Sequence, residues 1–552
     1  MITARGLETD TAGLWSRLPW FVGYGVATFF AFPQLVPGRS DPIDLGPVSA
    51  PLAVCCLLMA VRELAPKQAL LQAFVASMVA HWVFFYWFYV VTVTYGHAPV
   101  ALGVLAPLFP SLDVSIFSAA FAFGSRALSP AGRVGPWLAA LLWTVADYAR
   151  AHAFGGFTWA MLGYAELQNS ALLGWVSITG VYGLSFFVAL TGAALAAWLC
   201  DGTRKPPRAT TLALSAVVIA HVAGVLLSQS ATARNEVEGE GVSTIRVAAL
   251  QGNIDQNEKW SAERVGNNLG VYIQLSRQAI AAGASVIVWP ESAVPSFLEH
   301  DPTVREPIAW LARESGATFV LGATGATLDA TGENLAEVFD SAFVMAPSGV
   351  VTDRYDKTHL VPFGEYVPFR KTIGAWFEAI ARGMASLDVT AGDRVRSLLL
   401  ASESDGAEYR IGVPICYELL FPHLVRRFAA DGAQVLLAIT NDAWYGRTGA
   451  PHQFLAMTAM RAAENSLWTV RAANSGVSAI INSQGRIVSH TEIYERDLVV
   501  GDIPLSQARA GGTFYTRYGD VFAWLCCVAL LGHVVRLRLQ SVPGTSETQL
   551  ED

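Results

Sequence analysis

Eight stretches of the chain are almost wholly apolar: 19–36, 46–62, 70–94, 100–124, 135–151, 171–199, 211–229 and 518–536. A helix must offer about 20 mostly apolar residues to cross roughly 30 Å of hydrocarbon, so the pattern predicts eight membrane-spanning helices. Any one stretch would also fit a buried soluble helix; seven in succession argue against that reading. No small-residue cleavage site follows the first, which is read as a retained anchor. Between the seventh and eighth the pattern changes. Short β-branched runs at 244–250, 284–289, 318–322, 341–345, 409–415, 434–439 and 477–481 are bounded by charged and turn residues, with helical patterns at 262–282 and 454–466. Such alternation predicts an α/β domain. The expected organisation is seven spans in 1–229, an α/β domain in 235–512, a last span in 513–540 and a polar cytoplasmic tail in 541–552.

Composition sharpens this division. Charged residues are 82 of 552, or 15%, against about 25% in soluble domains. Residues 1–229 hold 20 of them and 230–552 the other 62. With the N-terminus inside, the inner flanks of the spans carry Arg5, Arg17, Arg62, Lys67, Arg126, Arg133, Arg204, Lys205, Arg208, Arg536 and Arg538. The outer flanks carry only Arg39, Arg150, Arg234 and Arg517. The positive-inside rule therefore places the α/β domain outside the cytoplasm, in the periplasm of a bacterium with two membranes. A net charge of -8 without a basic run excludes a nucleic-acid partner, because phosphate binding needs clustered cations. The apolar content excludes disorder.

Ionisable residues inside spans are functional suspects. His81 and Asp113 lie deepest and Asp147 near an outer helix end; interhelical hydrogen bonding accounts for them equally well. Five of the six cysteines, Cys55, Cys56, Cys200, Cys526 and Cys527, fall in or beside spans, where a thiol acts as a small apolar group. Cys416 alone lies in the outer domain, without a disulfide partner. It follows the run YRIGVPI, on an expected strand-to-helix turn whose N-terminus would favour the thiolate. Glu291 ends ASVIVWPE, and Lys357 follows a short strand at 350–355. Strand ends on one edge of an α/β sheet converge where ligands bind. A carboxylate, an ammonium and a thiol gathered there make a general base, a charge stabiliser and a nucleophile.

The segments WPES, KTHLVPFGEYVPF and PICYE resemble the three signatures of the nitrilase superfamily, whose members carry a Glu-Lys-Cys triad on an αββα sandwich. Nearly the whole chain, with QGNIDQNEKW and TFYTRYGD, is similar to the apolipoprotein N-acyltransferase family of bacterial inner-membrane enzymes. The resemblance implies catalytic Glu291, Lys357 and Cys416, supporting Glu365, Glu418 and Tyr417, and Trp260 near the site. It also implies transfer of an acyl chain from phospholipid to the α-amino group of a diacylglyceryl-modified lipoprotein, the last step of lipoprotein maturation. The chemistry expected of such a set is ping-pong through a Cys416 thioester.

Ile373, Trp376, Phe377, Ile380 and Met384 recur at helical spacing, predicting an amphipathic helix that either dips into the outer leaflet to guide acyl chains or packs on the domain's own core. Trp444 and Tyr445 either line the acyl path or belong to the core. The ten histidines show no metal-ligand spacing, His359 and His423 included, and no Gly-rich phosphate loop is present, so neither a metal nor another cofactor is expected. Two other readings stay open. A tethered nitrilase-type amidase would use the same triad on a C–N bond, and a non-catalytic binding or transport protein would not need Cys416.

Overall fold

The computed structural model describes residues 11–36, 38–39, 41–129, 134–202, 205–239, 243–259, 263–329, 331, 334–366, 388–401, 408–505 and 512–541. Helices occupy all eight apolar stretches: Thr11–Phe30, Gly46–Val61, Pro66–Phe84, Leu108–Ala127, Pro136–Arg150, Val181–Asp201, Arg208–Gly239 and Val521–Ser541. Among the described residues, Val100–Ala127, Val181–Asp201, Arg208–Gln229 and Val521–Ser541 are long and apolar enough to cross a bilayer, and Gly46–Val61 is a shorter apolar helix. Pro136–Arg150, at 15 residues, rises only about 22 Å. The outward faces suit lipid: Leu212, Val218, Ile219 and Val222 are exposed on one helix, and Trp524, Leu525, Val528 and Leu531 on another.

Three predicted helices are broken; in 70–94 the α-helix ends at Phe84 and a π-helix, Val90–Tyr95, follows a turn. In 100–124 the α-helix is interrupted at Ala106 and Pro107 and resumes at Leu108. In 171–199 two single turns, Ser170–Leu173 and Val176–Thr179, precede Gly180, which begins the long helix. Gly180 has φ +62°, and a Cβ there would lie 2.5 Å from the Tyr515 ring. Only glycine serves both the backbone and the close approach.

The α/β domain contains thirteen described strands: β1 Thr244–Gln251, β2 Val286–Val288, β3 Val294–Phe297, β4 Thr318–Leu328, β5 Leu335–Met345, β6 Val351–Asp356, β7 Leu398–Ala401, β8 Glu408–Gly412, β9 Val435–Thr440, β10 Thr469–Ala473, β11 Ala479–Ile481, β12 Ile487–His490 and β13 Asp497–Pro504. They form two sheets, ordered β13-β1-β2-β4-β5-β6 with β3 on β4, and β12-β11-β10-β9-β8-β7. β1, β2 and β4 run parallel, as do β8, β9 and β10, while antiparallel strands close the edges. Alternation sets the layers. On the first sheet Val247, Ala249, Val286, Val288 and Val320 meet Ile411, Val413, Val435 and Leu437 of the second. The intervening Ala248, Leu250, Ile287, Phe319 and Leu321 face helices Val265–Ala281 and Pro302–Ser315.

Beyond the second sheet lie helices Pro422–Ala430 and Ala450–Asn465. Nearly every residue of the latter is buried, because it is packed between its own sheet and the membrane-side segment 156–181. Thr158 Oγ1 and Tyr164 OH both donate to the Leu420 carbonyl, at 2.7 and 3.2 Å, and Trp159 Nε1 donates to Gln453 Oε1 at 2.7 Å. The Val181 N–H donates to Glu464 Oε1 at 2.9 Å. The four-layer sandwich is therefore fastened to the helical bundle through the layer that bears the nucleophile turn.

Candidate active site

Three loops at strand ends bring the predicted triad together. After β2, the Trp289 N–H donates to the Val320 carbonyl, and Pro290 and Glu291 cross directly over Gly322 of β4. A Cβ on Gly322 would lie 2.1 Å from the Pro290 carbonyl oxygen and 2.8 Å from the Glu291 Cα, so that glycine allows the base its place. Ser292 follows at φ +47°, left-handed for a non-glycine residue. Lys357 leaves β6, with its N–H on the Asp340 carbonyl of β5. Cys416 follows β8 and opens a 3₁₀ turn, Cys416–Leu420, at φ +45°. Strained backbone at a base and a nucleophile is a common mark of functional sites.

The Lys357 ammonium is fully buried and lies 3.0 Å from Glu291 Oε1, 3.3 Å from Asp340 Oδ2 and 2.5 Å from Glu365 Oε1. Carboxylate oxygens of the three acids come within 4.8 Å of one another, and the ammonium contacts each, supplying the positive charge they require. Burial alone would drive Lys357 toward neutrality, but the three carboxylates hold it well above the ordinary lysine range. Burial likewise opposes ionisation of Glu291, and Lys357, Asp340 and Lys259 together outweigh it, leaving Glu291 below the usual carboxylate range. Asp340 goes the other way: burial and the Glu291 charge hold it well above that range. Its Oδ1 has no hydrogen-bond donor among the described residues, and its carboxyl lies beside that of Glu291. The two carboxyl groups are thus pushed in opposite directions, Glu291 down and Asp340 up.

Cys416 sits in the fields of Glu291, Lys357 and Asp442, with the Asn441 N–H directed at it. Burial, then Glu291, push the thiol well above its usual range, with Lys357 and Asn441 opposing. The expectation that a helix N-terminus would favour the thiolate is therefore corrected: the turn is one short 3₁₀ segment in a dry place, and desolvation wins. The resting group is a thiol, which needs a base.

The supporting carboxylates have distinct roles. Glu365 holds Lys357 and accepts the Val361 N–H at 2.8 Å. Glu418 is fully buried and ties the nucleophile turn to the lysine loop. Its Oε2 accepts the Ile415 N–H at 2.9 Å; its Oε1 accepts the Thr358 N–H and Oγ1 at 2.8 Å each and Tyr355 OH at 2.6 Å. Tyr417 stacks on His359 and meets Phe421 edge-on. Tyr445, beside Cys416, packs against Trp87 and Trp159 at ring distances of 5.0 and 5.8 Å. Trp444 contacts Tyr95 at 5.9 Å. An aromatic wall thus runs from the thiol toward the membrane helices. Trp260, Trp376 and Phe377, with the predicted amphipathic helix, lie outside the described residues.

Farther off, His81 is paired with Ser77, and Asp147 with Arg150 at 3.3 Å. Asp113 Oδ2 has no hydrogen-bond partner among the described residues. Sequence reasoning missed Asp340, Lys259 and Asn441 at the site. Lys259 and Asp340 are separated from Glu291 by 32 and 49 positions; strand pairing brings Asp340 near, and the docking of Gln256 on Asn441 brings Lys259.

Two families match the chain: Carbon-nitrogen hydrolase over residues 246–512 and Apolipoprotein N-acyltransferase N-terminal domain over 24–194. The apolipoprotein N-acyltransferase of Geobacter metallireducens is 37% identical over 478 residues, covering 86% of this chain and 88% of that one. That of Pseudomonas aeruginosa is 31% identical over 537 residues, covering 95% and 98%. That of Nitrosomonas europaea is 30% identical over 514 residues, covering 92% and 95%.

Proposed function

The chain belongs to the apolipoprotein N-acyltransferase family, and from that premise we propose that it moves an acyl chain from a membrane phospholipid, through a thioester on Cys416, to the N-terminal amine of a diacylglyceryl-modified lipoprotein. The observation that carries the reading is the buried Lys357 ammonium held between Glu291 and Glu365, in the field of the Cys416 thiol.

In the first half-reaction Glu291 takes the thiol proton as sulfur attacks the ester carbonyl. Lys357 faces the oxyanion that forms; such a donor is typically worth about 3–4 kcal/mol. Collapse breaks the C–O ester bond, and the departing lysophospholipid alkoxide takes the proton from Glu291. In the second, the lipoprotein amine, free of its extra proton, attacks the thioester. Glu291 removes one amine proton and returns it to the leaving Cys416 sulfur, closing a ping-pong cycle. The wall of Tyr445, Trp87 and Trp159 keeps water from the thioester, which would otherwise be hydrolysed.

The same reading assigns all eight helices as spans of a bacterial inner membrane, seven in 1–229 and the last in 513–540, with 541–552 in the cytoplasm. It places domain 235–512 in the periplasm. The arginine and lysine asymmetry of the flanks supports this orientation.

Intact-mass analysis of the enzyme in detergent with phospholipid tests the thioester. An acyl adduct on Cys416, discharged by a diacylglyceryl-cysteine peptide and absent in Cys416→Ser, is expected. Fatty acid release without peptide acylation would favour the amidase-like reading; full activity of Cys416→Ser would overturn catalysis by this thiol.

A further inference from the structure

Behind the Glu291 loop lies a second buried ammonium that the cycle above does not use. Lys259 closes the single helical turn Gln256–Lys259 and is 2% exposed. Its Nζ donates to the Glu291 main-chain carbonyl at 2.9 Å. That carbonyl adjoins Ser292 in its left-handed conformation, so the bond fastens the backbone at its most strained point. The turn is itself anchored at the site: Gln256 Oε1 accepts from Asn441 Nδ2 at 2.7 Å, and the Asn441 N–H is directed at Cys416.

Charge gives a second, independent argument. Three carboxyl groups, those of Glu291, Asp340 and Glu365, crowd one buried cluster around the single Lys357 ammonium. Unbalanced buried charge costs several kcal/mol. Burial brings the Lys259 ammonium down to about 8, against the pull of Glu291, Asp340 and Cys416, and it adds a second cation beside these carboxyl groups.

We propose that Lys259 is a positioning residue for acyl transfer: it pins the Glu291 backbone and supplies the second positive charge that keeps this base ionised, leaving Lys357 free for the oxyanion. The groups facing Glu291 are then Lys357, Lys259, Asp340, Glu365, Cys416 and Asp442. Removing one cation from this set lets the carboxyl hold its proton to higher pH, and the acidic limb of the rate moves up.

The inference rests on the triad reading, and one experiment separates the two. Single-turnover formation of acyl-Cys416 from phospholipid is followed by intact mass across pH for the full-length enzyme and Lys259→Met. Expected are a rate lower by about tenfold near neutrality, an acidic limb displaced to higher pH, and an unchanged phospholipid KM. A folded Lys259→Met with a wild-type limb overturns the proposal. Absence of acyl-Cys416 in the wild type overturns the triad reading instead. Should Lys259→Met fail to fold, Lys259→Arg decides: it keeps the charge and must keep the limb in place even if turnover falls, and a displaced limb overturns the proposal.

Discussion

Thr158, on the membrane side, donates to the carbonyl of Leu420 in the nucleophile turn at 2.7 Å, and both residues are buried. Tyr164 reaches the same oxygen at 3.2 Å. The turn that presents Cys416 is thus held from within the membrane-side segment as well as by its own domain. Thr158→Val leaves the carbonyl one donor and should cost about 1 kcal/mol, seen as a several-fold slower acyl-Cys416 formation. Thr158→Val with Tyr164→Phe should cost more than either alone. Rates equal to wild type in the double variant would show that the grip has no part in presenting the thiol.

Glu418 makes a sharper case. Its four short hydrogen bonds all come from donors on the two loops that carry Lys357 and Cys416 or on β6, the edge strand that leads into the lysine loop. An amide at this position keeps the shape but turns its NH₂ toward a donor. Glu418→Gln should therefore lose about 1–3 kcal/mol from a buried unsatisfied group, lowering both the melting temperature and the acylation rate. An effect on rate alone would mean that Glu418 touches the reacting atoms.

Asp340 and Glu291 share one cluster, and their surroundings push their acidities in opposite directions. Burial and the neighbouring anion favour a proton on Asp340, while Lys357, Asp340 and Lys259 favour the charged form of Glu291. Asn is isosteric with a protonated Asp, so Asp340→Asn should cost far less than Glu291→Gln, which removes the base and abolishes thioester formation. Comparable losses in the two variants, measured as acyl-Cys416 yield, would contradict this division.

The triad was legible because each member ends a short β-branched run, and strand ends on one edge of a sheet converge. The same logic left Asp340 unread, since it lies within β5, where a lone carboxylate resembles an outward polar position. Lys259 was hidden for another reason: it lies on one helical turn in a polar stretch, and its burial follows only from Gln256 docking on Asn441. Hydropathy located the helices but not their breaks at Pro107 and Gly180, because a proline or glycine in an apolar run leaves the average almost unchanged. Strands β3, β7, β12 and β13 are short or edge elements whose alternation is too brief to stand out, and the central β10, TVRAA, was hidden because Arg471 and two alanines break its apolar run.

The state of the Cys416 thiol provides the last prediction. Burial and Glu291 raise it, Lys357 lowers it, and the net direction is upward. The thiolate fraction is therefore small at neutral pH and grows only as pH climbs into the alkaline range. Alkylation of the resting enzyme by iodoacetamide, read at Cys416 by peptide mass, should be slow near neutrality and accelerate with pH. Lys357→Met removes the favourable charge, so its profile should shift to still higher pH. A thiol that alkylates rapidly and independently of pH across the neutral range would be a preformed thiolate; Glu291 would then have no proton to take in the first half-reaction, and its role would be confined to the amine.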